Sequence, residues 1–307
     1  MRILAQCFEA ARANLRRVVL PEGGDPRIRE AAARLAAKGL ARPVLIGGEA
    51  PGCETVDPAA DPRREALAAL VAARRARMTP TMAARLLAKP LGFGGALVAA
   101  GEAAAMVAGA ANPTRRVIEA GMMTVGLAEG VATPSSFFLM ALGGRALLFA
   151  DCALNVDPTA PELAAIAVAS GRSAGRLMGE ARVALLSYST RGSGTGPRVG
   201  KVAEAVRLAR AAAPDLAIDG EFQADAALNA SIAAKKGAEG PVAGRANVLV
   251  FPDLDSGNIA YKLVQELAGA QAIGPLLQGF ARPVADLSRG ATVEDIVAVA
   301  VVTLAMG

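Results

Sequence analysis

Val18-Val19-Leu20-Pro21-Glu22-Gly23-Gly24-Asp25-Pro26 carries the switch on which the fold reading turns. Three apolar β-formers end at a proline–glycine break, and Asp25 followed by Pro26 is the signature of a helix start, with the aspartate as cap and the proline in the first turn. Ile28, Ala31, Ala32 and Leu35 then recur at helical spacing, Gly39 closes the helix, and Pro43 to Ile46 reads as a second strand. Strand, helix and strand in that order form a βαβ unit, the element from which parallel sheets are built.

The alternation extends in both directions. Ile3, Leu4, Cys7, Phe8, Ala11 and Leu15 have helical spacing ahead of the first strand. Downstream, an alanine-rich helical stretch runs from Glu65 to Val98, a strand from Ala104 to Val107, and a helix opens at Asn112-Pro113-Thr114. Strands are expected at Ser136 to Leu142, Ala146 to Phe149, Val183 to Leu186, Leu216 to Ile218 and Asn247 to Phe251. Helices are expected at Ala160 to Leu177, Val199 to Ala213, Ala224 to Ala234, Asn258 to Leu267 and Thr292 to Ala305. The fold class is α/β with largely parallel sheets, in which ligands bind beyond the carboxyl ends of strands.

At 307 residues the chain is long enough for two domains. Its apolar fraction of 53% is rich in alanine spread among charges, and no run approaches the ~18 residues of a membrane span. The first fourteen residues lack the apolar core and cleavage site of a signal peptide. Three cysteines, Cys7, Cys53 and Cys152, show neither paired number nor CxxC spacing. A soluble, cytoplasmic protein is therefore expected. The net charge of +5 is scattered, and with 3% aromatic residues there is no stacking platform for nucleic acid, so small anions are the expected partners.

Histidine is absent from the chain. That removes Ser-His-Asp and Cys-His catalysis and His-ligated zinc, and leaves Asp, Glu, Lys, Tyr or Cys as acids and bases.

Four segments offer chemistry. Asp286-Leu287-Ser288-Arg289-Gly290 precedes the last helix and combines a hydroxyl, a forked cation and backbone N–H groups, which suits a phosphate. The competing reading is a surface arginine beside a capping box in which Asp295 is the third helical residue. Asn112-Pro113-Thr114 starts a helix, with Asn112 as expected cap and Arg115 and Arg116 in the first turn, where the helix dipole disfavours cations by ~0.3–1 kcal/mol unless an anion sits there. Ser187 to Gly194 follows a strand but fails the P-loop spacing. Phe251 to Asn258 ends a strand and caps a helix that carries Asn258 and Lys262. For each of these an ordinary structural role stands beside the binding role.

Taken together, these segments resemble the phosphate acetyltransferase (phosphotransacetylase) family. The resemblance rests on Val18 to Glu22, Met106 to Ala111, Phe149 to Cys152, Val183 to Thr190, Ile218 to Glu221, Pro241 to Gly244, Val250 to Asp253, Gly257-Asn258 and Gly274 to Gly290, in order over nearly the whole chain. It implies a two-domain architecture similar to the isocitrate and isopropylmalate dehydrogenase fold with an interdomain cleft. One discontinuous domain would comprise residues 1–128 and 275–307, the other residues 129–274. A homodimer is implied, with no metal and no permanently bound cofactor, coenzyme A and acetyl-CoA being substrates alongside phosphate and acetyl phosphate.

The resemblance also implies roles: Arg289 holding the leaving phosphate, Ser288 bonding the developing oxyanion and Asp295 accepting the thiol proton. Arg74, or its neighbour Arg75, matches a family arginine. Asn112, Thr114, Arg115, Ser189, Thr190, Asn258 and Lys262 complete the substrate-binding set. Glu119 falls where a second family arginine is expected, which reverses the charge there; either Arg115, one turn earlier, substitutes for it or the anion is held differently. Transfer of propionyl or butyryl, an acetyl-CoA-sensing domain of the kind fused to malic enzymes, and a dehydrogenase of the same fold are the alternatives. Retention of Ser288, Arg289 and Asp295 argues against the second, and the lack of an aspartate-rich metal motif against the third.

Overall fold

The computed structural model describes residues 2–307. Met1, the first residue of the expected discontinuous domain, lies outside them. The chain runs α1 (Arg2–Ala13), β1 (Arg17–Leu20), α2 (Pro26–Ala37), β2 (Arg42–Ile46), β3 (Glu54–Val56), α3 (Arg64–Ala73), α4 (Pro80–Leu87), α5 (Pro90–Ala100), β4 (Ala105–Ala108) and α6 (Thr114–Thr124). It continues with β5 (Ser135–Leu142), β6 (Arg145–Ala150), α7 (Ala160–Met178), β7 (Arg182–Leu186), α8 (Pro197–Ala212), β8 (Ala217–Phe222), α9 (Ala224–Leu228), α10 (Ala230–Lys235), β9 (Val248–Val250), α11 (Leu254–Ala268) and β10 (Gln271–Gln278). It closes with β11 (Val284–Asp286) and α12 (Val293–Ala305).

Two compact units result, one of residues 2–130 and 280–307, the other of residues 131–279. The second division falls after Gly279 rather than near Gly274, because β10 stays paired antiparallel with β5 as far as Gln278 opposite Ser135.

In the discontinuous unit every strand is parallel: β3 pairs with β2, β2 with β1, β1 with β4 and β4 with β11. The carboxyl ends of β1, β4 and β11 therefore emerge side by side. Asp25 caps α2 as its sequence predicts, accepting the Arg27 N–H at 2.8 Å. The alanine-rich stretch is three helices, not one, because Pro80 and Pro90 each open a new helix after Thr79 and Lys89. The helix α6 begins after Pro113, and Asn112 is not its cap. Glu22 claims Asn112 instead, as described below.

In the continuous unit β10, β5 and β6 form an antiparallel meander, joined through β6 to the parallel strands β9, β7 and β8. Its core includes Phe138, Phe149, Phe222, Leu249 and Phe251, and the Phe138 ring stacks on Tyr261 at 4.1 Å. The expected helix at Ala224 to Ala234 is two short helices divided at Asn229, whose side chain caps the second. Among the described residues no single helix is long and apolar enough to cross a membrane.

Candidate active site

Glu22 follows β1 and is 6% exposed, yet both carboxylate oxygens are fully engaged. Oε2 accepts the backbone N–H groups of Gly109 and Ala110, each at 2.8 Å. Oε1 accepts those of Ala111 (3.1 Å) and Asn112 (2.8 Å), and the Asn112 side-chain amide at 2.7 Å. Successive amides converging like this form a nest for an anion. Here the anion is the chain's own carboxylate, so the β4–α6 connection is held from within. Asn112, a substrate-binding candidate, gives its backbone and side-chain N–H groups to this carboxylate.

On the other side of β4, Asp286 ends β11 opposite Ala108 and is 1% exposed. Its Oδ2 accepts the Thr114 hydroxyl at 2.5 Å, which ties the first residue of α6 to β11. Oδ1 has no hydrogen-bond partner. Burial, with the Glu22 charge adding to it, pushes the carboxyl up to about 7 against the opposing effects of the Thr114 hydroxyl and the Leu287 N–H. Gly109, at φ +115°, permits this contact: a Cβ there would run into the Asp286 carboxylate and the Leu287 backbone.

Two residues on, Ser288, Arg289 and Gly290 are exposed. Their backbone is braced: Ala291 N–H bonds Ser288 O at 2.9 Å, and the Ser288 hydroxyl accepts the Gly290 N–H at 3.3 Å. Arg27 donates to the carbonyls of Arg289 (2.8 Å), Ala291 (2.9 Å) and Ala110 (3.1 Å), and the Asp25 carboxylate accepts from its Nη2 at 2.7 Å and its Nε at 3.2 Å. The Arg289 guanidinium itself makes no ion pair among the described residues. A rigid turn thus presents an unengaged cation and a hydroxyl together.

Asp295 sits one turn into α12 and forms the capping box: its Oδ2 accepts the Thr292 N–H at 3.0 Å and hydroxyl at 2.8 Å. The structural role anticipated for it is therefore present, and Oδ1 is the oxygen left for chemistry. Arg74 ends α3 in solvent, whereas Arg75 turns inward and donates to the Met122 carbonyl. Arg115 projects outward, 87% exposed, and bonds Glu119 at 2.7 Å. The neighbouring Arg116, with Glu22, Lys89, Asn112, Glu119 and Met123, lines a cavity of about 780 Å³.

The remaining candidates lie in the continuous unit. Ser189 and Thr190 are buried after β7: the Ser189 hydroxyl donates to Glu221 at 2.8 Å, and the Thr190 hydroxyl accepts the Gln223 N–H at 2.9 Å. Glu221 also takes the Gly192 N–H at 2.7 Å, so a buried carboxylate again holds a glycine-rich connection. Asn258 donates to the Cys152 carbonyl at 3.0 Å, and Lys262 is exposed. The loop-holding roles of Glu22, Glu221 and Asp286 do not show in the sequence. The local sign they share is a carboxylate within two residues of a strand's carboxyl end.

The family model for "Phosphate acetyl/butaryl transferase" matches residues 2–304. The chain belongs to this family. A phosphate acetyltransferase from Paracoccus denitrificans is 46% identical over 99% of this chain and 98% of its own length. The phosphate acetyltransferase of Escherichia coli is 44% identical over 95% of this chain, which spans 43% of that longer protein. Among solved structures, a phosphotransacetylase from Staphylococcus aureus aligns with a TM-score of 0.92 at 36% identity, covering 99% of this chain and 98% of its own. The resemblance that the sequence carries to the phosphate acyltransferase family thus holds over the whole fold.

Proposed function

We propose that this chain is a phosphate acetyltransferase, catalysing acetyl-CoA + phosphate = acetyl phosphate + CoA by direct attack of the coenzyme thiol in a ternary complex. The observation that carries the reading is the braced turn on which Ser288 and an unpaired Arg289 stand exposed, in a chain of this family. Arg289 is a fixed fork that matches a phosphate dianion bidentately. Ser288, beside it, donates to the carbonyl oxygen as charge develops there. In the direction of acetyl-CoA synthesis a sulfur–carbon bond forms, the carbon–oxygen bond to phosphate breaks, and the thiol proton passes to Asp295. The capping box engages Asp295 Oδ2 and leaves Oδ1, the oxygen proposed to orient the thiol and take its proton.

Acetyl is proposed over propionyl or butyryl because relatives that match this chain over nearly their full length, from Paracoccus denitrificans and Acetivibrio thermocellus, carry that name. The chain is further proposed to act in the cytoplasm without a resident cofactor, metal, membrane or nucleic-acid partner. It is proposed to form a homodimer, which the exposed stripe Ile259, Leu263 and Leu267 on α11 supports.

Thioester absorbance with acetyl phosphate and coenzyme A tests the function. Wild type is expected to turn over and Arg289→Ala to lose about 10²–10³ in kcat. An inactive wild type, or an Arg289→Ala variant with unchanged turnover, overturns the reading.

A further inference from the structure

Asp286 is surrounded in sequence by Val284, Ala285 and Leu287, all buried and apolar. A small apolar residue there would complete the strand without difficulty. The carboxyl instead leaves Oδ1 buried without a hydrogen-bond partner, a defect that disfavours the fold. Local rules broken at a stability cost tend to mark functional positions.

The geometry supplies the function. Asp286 lies two residues before Ser288, on a strand in register with β4, and its bonded oxygen reaches across to Thr114 at the first residue of α6. The positive φ of Gly109 brings the end of β4 against the same carboxyl. We propose that Asp286 is a positioning residue for acyl transfer, its bond to Thr114 fixing the turn that carries Ser288 and Arg289 against the start of α6. The inference rests on the acyl-transfer reading of that turn. What the bond requires is an oxygen acceptor of this size and reach; a negative charge is not required. Glu22, on the far side of the 109–112 connection, disfavours such a charge, while the Thr114 hydroxyl and the Leu287 amide favour it.

The test compares steady-state kinetics and melting temperature of wild type, Asp286→Ala, Asp286→Asn, Thr114→Val and the Asp286→Ala/Thr114→Val double variant. Displacing a reacting group by about an ångström costs on the order of a hundredfold, so Asp286→Ala and Thr114→Val are each expected to lose tenfold to a hundredfold in kcat. The KM for coenzyme A should stay within about threefold, because the loss lies in transition-state alignment. Asp286→Asn, which keeps an oxygen for Thr114, is expected to recover most of the lost turnover. The double variant should be no worse than the poorer single one, since both remove the same contact.

Equal losses in Asp286→Asn and Asp286→Ala, additive losses in the double variant, or a fall in melting temperature with kcat intact would each overturn the proposal. If Asp286→Ala fails to fold, Asp286→Asn and Thr114→Val carry the comparison. A wild type without acyl transfer overturns the functional reading and the positioning role with it. An active wild type with an indifferent Thr114→Val overturns the positioning role alone.

Discussion

Glu22 Oε1 binds Asn112 twice, through its backbone N–H at 2.8 Å and its side-chain amide at 2.7 Å. With the three other backbone amides gathered by the same carboxylate, the buried group is held by the 109–112 backbone and the Asn112 side chain. Glu22→Gln changes little in shape, but it turns an NH2 group toward donors and removes the charge that strengthened each bond. The expected cost is about 2–4 kcal/mol in urea denaturation at pH 7, with faster amide exchange confined to residues 109–112. A cost under about 0.5 kcal/mol would show that those amides are satisfied without the carboxylate.

Asp295 has both a capping role and a proposed chemical one, and Thr292 separates them. Thr292→Ala removes the hydroxyl side of the capping box and leaves Asp295 in place. It is expected to cost about 1 kcal/mol of stability with turnover within about twofold of wild type. Asp295→Asn, which keeps the side-chain size but takes no proton, should lose about a hundredfold in kcat, the low end for a positioned general base. Equal kinetic losses in the two variants would mean that Asp295 serves the helix alone.

These roles show what the sequence discloses and what it withholds. The β1–α2–β2 unit is legible because each signal is local: Asp25, Pro26 and Gly39 act on the helix they bound. The strand β10 was not expected, since Gly274-Pro275 in its middle reads as a break, and β3 and β11 are three residues each, too short for a period to show. Pro80 and Pro90 were readable as helix starts, yet the alanine-rich background hid them. At the site, Ser288 and Arg289 stand out by residue type. Glu22 and Asp286 do not, because their partners lie 87 to 90 and 172 positions away and meet them only through the parallel register of β1, β4 and β11.

Asp286 makes stability depend on pH with a definite sign. Its carboxyl is near 3.9 in the unfolded chain and about 7 when folded, so between those values the folded state holds a proton that the unfolded state has lost. Stability from this group is full below about pH 4 and lost as pH rises through about 7, with a slope approaching 1.4 kcal/mol per unit. Asp286→Asn removes the slope. Urea midpoints at pH 5, 6, 7 and 8 are expected to show the variant gaining on wild type up to about pH 7 and holding a constant lead beyond. Parallel curves would place the folded carboxyl in the ordinary range.

Cys152 bears on whether the acyl group ever rests on the protein. It is completely buried, and both burial and the Asp151 charge push its thiol far above the ordinary range. The thiolate, not the thiol, attacks acyl phosphates, so Cys152 is a poor nucleophile in this setting. Cys7 is buried and raised by burial as well, while Cys53 is partly exposed. Iodoacetamide at pH 8 is therefore expected to label native protein at Cys53 alone, reaching Cys7 and Cys152 only in denaturant, with mass spectrometry of the digested chain as readout. Direct attack by the coenzyme thiol requires that Cys152→Ala retain turnover. Rapid native labelling of Cys152, together with loss of turnover in that variant, would instead place an acyl-cysteine on the path.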